Sequence, residues 1–513
     1  MQLSKKILKG ISPKDGLTIP EEKLFALPEK ILQFGTGVLL RGLPDYFIDK
    51  ANRQGIFNGR IVIVKSTAAG GADAFDEQDG LYTLCVKGIE NGVTVEENII
   101  HSAISRVLSA ASQWQEILQC AANPDMQVVI SNTTEVGIVL DKNDDFYAAP
   151  PKSFPVKLLA FLYKRYTIFH GDPSKGVVII PTELITDNGE KLRAIIEELA
   201  RINHLEDAFI DWLKNANFFC SSLVDRIVPG KLPPAMLVKA EAELGYTDEL
   251  MIMSEVYRLW AIESGNEEVQ EILSFSKADA GVVISPDIDL FRELKLRLLN
   301  GSHTFCCGLA VLAGFPTVKE AMENADFTFY INRLMLQEIA PSITNTELSI
   351  ETANEFAGKV LDRFRNPHIE HQWLSITLQY SSKMKMRNIP VIKNYLERFN
   401  SVPEYITLGL AAHLLFMKCE KAADGKFYGE SDGKKYVVND DNAAWFAEKW
   451  KQAGSIPQLV QYVFGDMLFW GINFGSHDGF INAISSKLQE LISSGAMAAI
   501  KQISQSAKSA DLS

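Results

Sequence analysis

The sequence predicts an α/β fold in which a doubly wound parallel sheet is followed by a mostly α-helical C-terminal domain. An apolar run at residues 31–34 leads into Gly35-Thr36-Gly37, and a helical pattern continues from there to Lys50. Further β-type runs follow, separated by long helical stretches, as in a parallel sheet covered by helices. Near Asp287 the β-type runs end and helical periodicity continues almost without interruption. We therefore expect two domains, at 1–287 and 288–513.

Short apolar runs predict the strands, and a 3.6-residue apolar period predicts the helices. After the first strand, the predicted strands are 60–67, 126–131, 176–180 and 218–224. The predicted C-terminal helices are 290–312, 318–336, 351–363, 372–384, 405–419 and 442–453. Residues 424–442 contain Asp424-Gly425 and Asp432-Gly433, which are turn signals, so we expect a surface excursion there.

The turn after the first strand has features of a dinucleotide-binding, Rossmann-type domain. Glycines at positions 35 and 37 let the backbone approach a pyrophosphate, which the following helix N-terminus holds by its N–H groups. The third glycine of this fingerprint is absent, because Leu40 occupies its position. An ordinary strand-to-helix turn therefore remains an alternative.

The end of the second predicted strand bears on the choice of nicotinamide cofactor. The acidic residue that would hold the ribose 2′-OH of NAD is missing, and Lys65, Ser66 and Thr67 occupy that region. A lysine can accommodate the 2′-phosphate of NADP. Both cofactors stay open on these residues alone.

A second constellation lies early in the C-terminal domain, where Lys295, Asn300 and His303 form the spacing K-x4-N-x2-H. At roughly 100° per residue, an α-helix places Asn300 about 140° and His303 about 80° from Lys295, on one face. A lysine of lowered pKa can exchange a proton with a carbonyl oxygen, while the amide supports the alkoxide and the imidazole orients the oxygen. The alternative is an amphipathic helix with three solvated polar residues.

Five separated motifs make the chain resemble the long-chain mannitol dehydrogenase family. They are Gly35-Thr36-Gly37 with Arg41, Asp79-Gly80-Leu81-Tyr82, Val224-Asp225-Arg226-Ile227, the K-x4-N-x2-H spacing, and Arg365-Asn366-Pro367. They fall in the family's order between about residue 30 and about residue 480. The resemblance implies a nicotinamide-dependent polyol or sugar-acid dehydrogenase that works without a metal ion.

Within that family the residues most resemble the branch that interconverts D-tagaturonate and D-altronate. The stretches that carry this likeness are 131–135, 223–228, 299–304 and 363–372. Two features separate the chain from the mannitol branch. His371 replaces an acidic residue that usually follows the Asn-Pro motif, and Thr182-Glu183-Leu184 replaces the usual Cys-Asp-Asn.

The resemblance also implies roles for individual residues. Lys295 matches the catalytic acid/base, Asn188 and Asn300 match the oxyanion-stabilising amides, and His303 matches the substrate-orienting imidazole. Glu135 matches a carboxylate that relays protons to water, although it can instead cap a helix. The expected cofactor-binding positions are Phe34, Gly35, Thr36, Gly37, Arg41, Lys65, Asn132 and Asp225. For Asp225, a structural ion pair with Arg226 is an equal alternative.

The anionic end of a sugar acid requires local positive charge. Lys383, Lys385 and Arg387 lie in a region that the family brings near the substrate. Because they alternate, they can line one face of an extended segment and bind a carboxylate. His371 and His368 flank the same site in the branch that the chain resembles. The alternative is a solvated basic loop.

Composition limits the partners. Of the 513 residues, 47% are apolar and 22% are charged, which is typical of a globular protein. The net charge of −13 argues against nucleic acid as a partner. The apolar runs, such as 305–315, are too short to cross a membrane. The oligomeric state is left open between monomer and dimer.

The six cysteines include no C-x2-C pair and no cluster with zinc-ligand spacing, so we expect reduced core thiols and no metal site. Lysines at positions 5, 6 and 9 are not followed by an apolar segment, so no signal peptide is expected. These features predict a cytoplasmic protein.

Together these observations predict a reductase of a keto sugar acid, most in keeping with D-tagaturonate, that uses NAD, with NADP not excluded. The alternatives are fructuronate reduction, a neutral polyol such as mannitol, and a non-catalytic dinucleotide-binding regulator. The intact Lys295, Asn300 and His303 set argues against the regulator.

Overall fold

The computed structural model describes residues 1–66, 72–133 and 137–511 and divides the chain into two compact units. The first comprises Met1–Gly88 and Thr94–Ile288, and the second comprises the chain from Asp289 onward together with Ile89–Val93. The first contains a parallel sheet and the second is mostly helical. The predicted fold class is confirmed.

The first unit is built on a six-stranded sheet in which all neighbouring strands pair in parallel. In spatial order its strands are Ile104–Ser109, Arg60–Lys65, Glu29–Phe34, Val128–Ser131, Val178–Pro181 and Phe218–Phe219. Numbered along the chain, this order is 3-2-1-4-5-6, which is that of dinucleotide-binding sheets. Ile31, Ile61 and Ile130 pack in one apolar cluster, while their neighbours Leu32, Val62 and Val129 pack in another. The strands read as continuous apolar runs because both faces of the sheet are covered.

Two smaller sheets also belong to the first unit. One contains Leu17–Thr18, Val93–His101, Tyr82–Glu90, Ile252–Ser254 and Gly230–Lys231, and the other contains Ser222–Asp225, Leu259–Glu263 and Val282–Ser285. The single strand predicted at 218–224 is therefore two strands in different sheets. The strand Ile104–Ser109 and the strands of the five-stranded sheet were not predicted. In Ile104–Ser109 the polar residues Ser105 and Arg106 interrupt the apolar run that was used to find the other strands.

The helices of the first unit cover the sheet faces and connect the strands. Its α-helices are Val38–Gly42, Pro44–Arg53, Ala72–Glu77, Trp114–Gln119, Phe154–Ile168, Asn188–Ile202, Asp207–Ala216, Pro234–Leu244 and Glu267–Ile272. Its 3-10 helices are Lys5–Gly10, Glu22–Ala26, Cys120–Ala122, Pro173–Lys175 and Ser274–Ala278.

The second unit is helical apart from a three-stranded antiparallel sheet of Glu420–Lys421, Phe427–Ser431 and Lys434–Val437. Its α-helices are Asp289–Glu293, Ser302–Leu312, Val318–Glu323, Ala325–Arg333, Ala340–Ile343, Ile350–Phe364, Trp373–Ile376, Tyr380–Lys383, Ile389–Phe399, Glu404–Phe416, Ala443–Gln452, Ile456–Phe464, Met467–Trp470, Asp478–Ser494 and Ala496–Asp511. A 3-10 helix spans Phe474–Ser476, and π-helices span Leu294–Gly301, Leu334–Ile339 and Met384–Asn388. The predicted excursion at 424–442 therefore contains two strands that sequence analysis missed.

The helix Glu404–Phe416 is the centre of the second unit and packs against Ser302–Leu312 and Asp478–Ser494. A Cβ at Gly409 would lie 3.0 Å from the carbonyl oxygen of Phe305, so only glycine allows this close approach. The Glu338 carboxylate accepts hydrogen bonds from the N–H groups of Tyr405 (2.9 Å) and Ile406 (2.6 Å), which caps the helix. This packing fixes the helix that follows the K-x4-N-x2-H segment.

All six cysteines are buried with free thiols. Within the described ranges no helix is both long enough and apolar enough to cross a membrane.

The buried imidazole of His413 predicts how stability depends on pH. Burial lowers its pKa to about 4, and Tyr380 and Phe446 pack around the ring. Neither ring nitrogen has a hydrogen-bond partner among the residues that the structure describes. Between about pH 6.5 and about pH 4 the unfolded chain binds a proton there that the folded chain does not bind. His413 therefore lowers the free energy of unfolding as the pH falls through that window.

We expect His413→Phe to lose less stability than the wild type between pH 7 and pH 5, by about 1.4 kcal/mol per pH unit below 6.5. Urea unfolding of both proteins at the two pH values measures this difference. His477→Phe, at an exposed position, is the matched control. Equal losses in wild type and His413→Phe would contradict the assignment.

Candidate active site

The carboxyl ends of the central parallel strands meet at one edge of the first unit's sheet. Phe34 lies opposite Val64 on one side and Ser131 on the other, and Ser131 lies opposite Pro181. The strand order reverses between Glu29–Phe34 and Val128–Ser131, and ligands of such sheets bind in the crevice at this reversal. The predicted cofactor residues that follow these strands are Gly35, Thr36, Gly37, Lys65 and Asn132.

The glycines of the turn differ in what they require. Gly35 has a φ of +129°, and a Cβ there would lie 2.9 Å from the carbonyl oxygen of Asn132. Gly37 is the N-cap of Val38–Gly42, and a Cβ there would meet no atom within 4 Å. At Gly42 a Cβ would lie 2.8 Å from Val228. The glycine needed for close packing is therefore at position 42, whereas the fingerprint has it at 40.

Two predicted cofactor residues are buried in the first unit. The Arg41 guanidinium donates to the carbonyl of Leu250 (2.7 Å), lies over the Tyr82 ring, and has a pKa lowered by burial. Lys65 is only 8% exposed. Arg41 thus contacts the protein core, and a contact of either residue with a cofactor stays a prediction.

A polar network joins the ends of the strands Val128–Ser131 and Val178–Pro181. The Asn132 amide donates to the Thr182 carbonyl (3.1 Å) and hydroxyl (2.9 Å). The Glu183 carboxylate accepts from the Ser131 hydroxyl (3.1 Å) and from the main-chain N–H (2.9 Å) and hydroxyl (3.0 Å) of Thr133. Glu183 is 3% exposed, so these bonds fix the backbone that carries Asn132.

The side chain of Asn188 is fully buried at the start of Asn188–Ile202. Its amide nitrogen donates to the carbonyls of Pro181, Glu183 and Ser222 at 2.9–3.1 Å, and its oxygen accepts from the N–H of Ser222. These bonds join three chain segments of the first unit. The role of Asn188 at an oxyanion stays a prediction.

Arg226, the neighbour of Asp225, contacts main-chain carbonyls and an aromatic ring, and the alternative of an ion pair between these two residues stays a prediction. The Arg226 guanidinium donates to the carbonyls of Glu255 (2.9 Å) and Gly42 (2.7 Å) and lies over Tyr46. Asp225 is buried at the end of Ser222–Asp225. Glu135 and Thr67 lie outside the described residues, so the proton-relay role of Glu135 stays a prediction.

The K-x4-N-x2-H segment is not the α-helix that its apolar period predicted. Leu294–Gly301 is a π-helix, and Ser302–Leu312 continues it as an α-helix. The angles calculated for an α-helix are therefore wrong. A π-helix joins residues five apart by hydrogen bonds, so Lys295 and Asn300 lie on successive turns of the same side. Such segments are rare and occur frequently at functional sites.

His303 is buried in an aromatic and cationic environment. Its ring stacks on Phe364 (4.1 Å between centroids) and meets the edges of His371 (5.2 Å) and Trp373 (5.9 Å). Its Nε2 is buried without a hydrogen-bond partner in the described chain. Burial, followed by neighbouring basic side chains, holds its pKa well below the usual value; these side chains are His371, Arg363, Arg387 and Lys383. His303 is therefore neutral near pH 7.

Two of the three predicted anion-binding residues lie beside His303. Burial lowers the pKa of Lys383 and of Arg387, and the charge of Arg387 lowers that of Lys383 further. The Lys383 ammonium donates to the Ile376 carbonyl (3.0 Å), and Arg387 donates to the Thr304 hydroxyl (3.1 Å). Within 1–66, 72–133 and 137–511, neither forms an ion pair with a carboxylate.

The extended segment predicted for these cations is wrong. Residues 380–388 are helical, as Tyr380–Lys383 and the π-helix Met384–Asn388. A helix places residues four apart on one face, so Lys383 and Arg387 lie together, while Lys385 is exposed. The alternation of Lys383, Lys385 and Arg387 had suggested a strand, so the i, i+4 relation of Lys383 and Arg387 on a helix was not recognised.

Sequence analysis missed two residues of these sites. Glu183 was noted only as a departure from the family pattern, and Arg363 only as part of a motif, yet Arg363 is buried and its charge acts on His303. The available signal was that Arg363 precedes Phe364 at the end of a helix. The ring of Phe364 stacks on His303 and so brings Arg363 near it. No group of three or more His, Cys, Asp or Glu side chains that could hold a metal occurs among the described residues.

Two family models match most of the chain. The mannitol dehydrogenase Rossmann domain matches residues 29–273, and the mannitol dehydrogenase C-terminal domain matches residues 287–492. The chain belongs to the mannitol dehydrogenase family. The resemblance predicted from the five motifs is therefore confirmed.

Several relatives in the mannitol dehydrogenase family are similar over nearly their whole length. Altronate oxidoreductase of Bacillus subtilis is 38% identical over 478 residues, covering 93% of this chain and 95% of that protein. Altronate oxidoreductase of Yersinia enterocolitica is 36% identical, covering 92% and 96%.

Two solved structures of dehydrogenases share the fold. Pseudomonas fluorescens mannitol 2-dehydrogenase, in a ternary complex with NAD and D-mannitol, has a TM-score of 0.63 at 22% identity, with 98% and 99% of the two chains covered. Substrate-free D-sorbitol dehydrogenase has a TM-score of 0.75 at 19% identity, with 98% and 100% covered. These likenesses establish the fold of this family member.

The turn geometry predicts that the two glycines tolerate alanine differently. Gly35→Ala should lower the free energy of unfolding by about 1–3 kcal/mol, because its φ is positive and its Cβ would contact the Asn132 carbonyl. Gly37→Ala is the matched control, since its φ of −60° suits alanine and its Cβ meets open space. Urea unfolding of both variants measures the difference. Equal stabilities would show that the turn is not restricted at position 35.

Proposed function

We propose that this chain is a nicotinamide-dependent oxidoreductase that interconverts D-tagaturonate and D-altronate. Its altronate oxidoreductase relatives, at 34–38% identity over more than nine-tenths of the chain, support the assignment. The observation that carries it is the pair of cations, Lys383 and Arg387, beside His303. The chain has a net charge of −13, so an anionic substrate requires such a local positive site.

The chemistry of these side chains suits a keto sugar acid better than a neutral polyol. A partly buried cation without a carboxylate partner raises the free energy of the fold, and an anionic ligand reduces this cost. The guanidinium of Arg387 can donate to a carboxylate, and the Lys383 ammonium adds a point charge. The partnerless Nε2 of neutral His303 can accept from a sugar hydroxyl or donate to an oxygen, according to its tautomer.

The residues of the first unit fit a dinucleotide. The glycine turn allows close approach of the backbone, and the strand order reverses beside it. Gly35, Thr36, Gly37 and Asn132 are the residues that would hold it, and when bound it supplies the hydride that reduces the ketone. We assign NAD, while Lys65 leaves NADP open.

For proton transfer we assign Lys295 as the acid/base. During reduction its ammonium gives a proton to the oxygen of the former ketone, and during oxidation its amine removes that proton. Asn300, on the adjacent turn of the π-helix, donates to the same oxygen, and His303 orients the sugar. Asn188 and Glu135 keep their proposed roles as second amide and proton relay. This set needs no metal ion.

The six free, buried thiols support a reducing compartment, and we place the protein in the cytoplasm.

Oxidation of NADH and NADPH in the presence of tagaturonate, fructuronate and fructose tests the substrate and the cofactor together. We expect turnover of tagaturonate with NADH. Turnover of fructuronate alone would move the assignment to the other keto acid. Turnover of fructose alone would show that the sugar-acid assignment is wrong.

Removing one cation separates carboxylate binding from catalysis. We expect Arg387→Ala to raise the KM for tagaturonate by roughly 10- to 100-fold, as expected for loss of a hydrogen bond between charged groups. Lys393→Ala, at an exposed lysine of the same unit, is the matched control. An unchanged KM in Arg387→Ala would place the carboxylate elsewhere.

Loss of the acid/base should affect turnover far more than cofactor binding. We expect Lys295→Ala to lower kcat by roughly 10² to 10⁴ while the Kd for NADH, measured by fluorescence, stays near that of wild type. A near-normal kcat with an unaltered pH profile would contradict the role of Lys295.

A further inference from the structure

Two π-helices of the second unit carry three side chains of the proposed site. Leu294–Gly301 carries Lys295 and Asn300, and Met384–Asn388 carries Arg387. The two pack directly against each other. The distance between the proton-transfer groups and the carboxylate-binding cation therefore depends on how these two segments are held together.

Hydrogen bonds run between the two π-helices in both directions. The Arg297 guanidinium donates to the main-chain carbonyls of Met386 (2.7 Å) and Arg387 (2.8 Å). In return, Arg387 donates to the Asn300 carbonyl (3.5 Å), and the Asn388 amide donates to the Gly301 carbonyl (3.2 Å). Arg297 reaches the facing π-helix through main-chain carbonyls, so it can be replaced without removing a side chain that is proposed to bind the substrate.

The sequence explains why a side chain is needed at the Met386 carbonyl. In an α-helix that carbonyl would accept from the N–H of residue 390, but residue 390 is proline and has no N–H. The proline ring also crowds the carbonyl four residues earlier, which favours the wider π-helical turn. The Arg297 guanidinium supplies the missing donor.

Arg297 is itself held in place. Glu293, one turn earlier, accepts from its Nε (2.9 Å) and its Nη2 (3.3 Å), so the guanidinium is fixed as a bidentate pair. Its side chain is 12% exposed. It also lines a cavity of about 650 Å³ whose wall includes Glu293, Pro390 and Arg398.

We infer that Arg297 is a positioning residue, which fixes the spacing between the Lys295–Asn300 turn and the Arg387 cation. This rests on the proposed reduction of a keto sugar acid. Arg297 does not touch the substrate; it sets the geometry in which the substrate's carbonyl and carboxylate ends are held at once.

The test compares Arg297→Ala and Arg297→Lys with the wild type. Arg297→Ala should lower kcat/KM for tagaturonate roughly 10²-fold, as small displacements of catalytic groups do. Arg297→Lys keeps the charge but lacks the planar fork whose separate nitrogens reach Glu293 and the two carbonyls, so it should recover little of the loss. Arg193→Ala is the matched control, since Arg193 pairs with Glu197 four residues away on an exposed helix face. Activity of Arg297→Ala equal to that of the control would overturn the inference.

Chemical rescue separates positioning from a general loss of folding. The cavity beside Arg297 gives free guanidinium access to the groups that the truncated side chain leaves, namely Glu293 and two carbonyls. Millimolar guanidinium should therefore raise kcat/KM of Arg297→Ala, whereas methylammonium should not. Absence of rescue in a variant that melts like the wild type would count against the inference.

A double-mutant cycle tests the role of the proline. In Pro390→Ala the new N–H can bond the Met386 carbonyl, so removing Arg297 should cost less in that background than in wild type. Additive effects would contradict the explanation. If the wild type reduces a substrate other than tagaturonate, the proposed function fails, and the same comparisons on that substrate still decide the role of Arg297.

Discussion

Desolvation of positive charge is the constraint on which the proposed site depends. Lys383 and Arg387 are partly buried beside a neutral imidazole, and burial lowers the pKa of all three. Each cation donates a hydrogen bond to an uncharged oxygen of the protein, but no carboxylate of the described chain neutralises either charge. Such an arrangement is unfavourable for the free protein and favourable for binding an anion. The surrounding helices must therefore hold the two cations in place, so anion binding depends on the packing of the second unit.

The fold could be predicted to the extent that burial leaves a simple pattern in the sequence. The strands Arg60–Lys65, Val128–Ser131 and Val178–Pro181 are covered on both faces, so they read as continuous apolar runs. Val93–His101 is exposed or half-buried at all but its last two residues and lacks such a run. The second unit's small sheet was hidden for a similar reason, because its turn residues and lysines resemble a solvated loop.

The sequence indicated candidate residues, whose role stays a prediction, but it did not indicate their local geometry. K-x4-N-x2-H named three residues of one helical segment correctly, yet the α-helical angles were wrong because a π-helix has a wider turn. Lys383 and Arg387 were predicted together and do lie together, although the local structure assumed for them was extended. Glu183 was missed as a structural residue because its partners, Ser131 and Thr133, are about fifty positions away and no local pattern records that contact.

The spacing of Lys295 and Asn300 suits the π-helical turn. In an α-helix, residues five apart are separated by about 140° around the axis, which is close to the limit of one shared face. In a π-helix the same spacing brings them to adjacent turns. The facing π-helix ends just before Pro390, whose missing N–H leaves a carbonyl that Arg297 binds. The π-helix Met384–Asn388 thus provides the free carbonyl of Met386, and Arg297 of the other π-helix binds it. Through this contact the two π-helices stabilise each other.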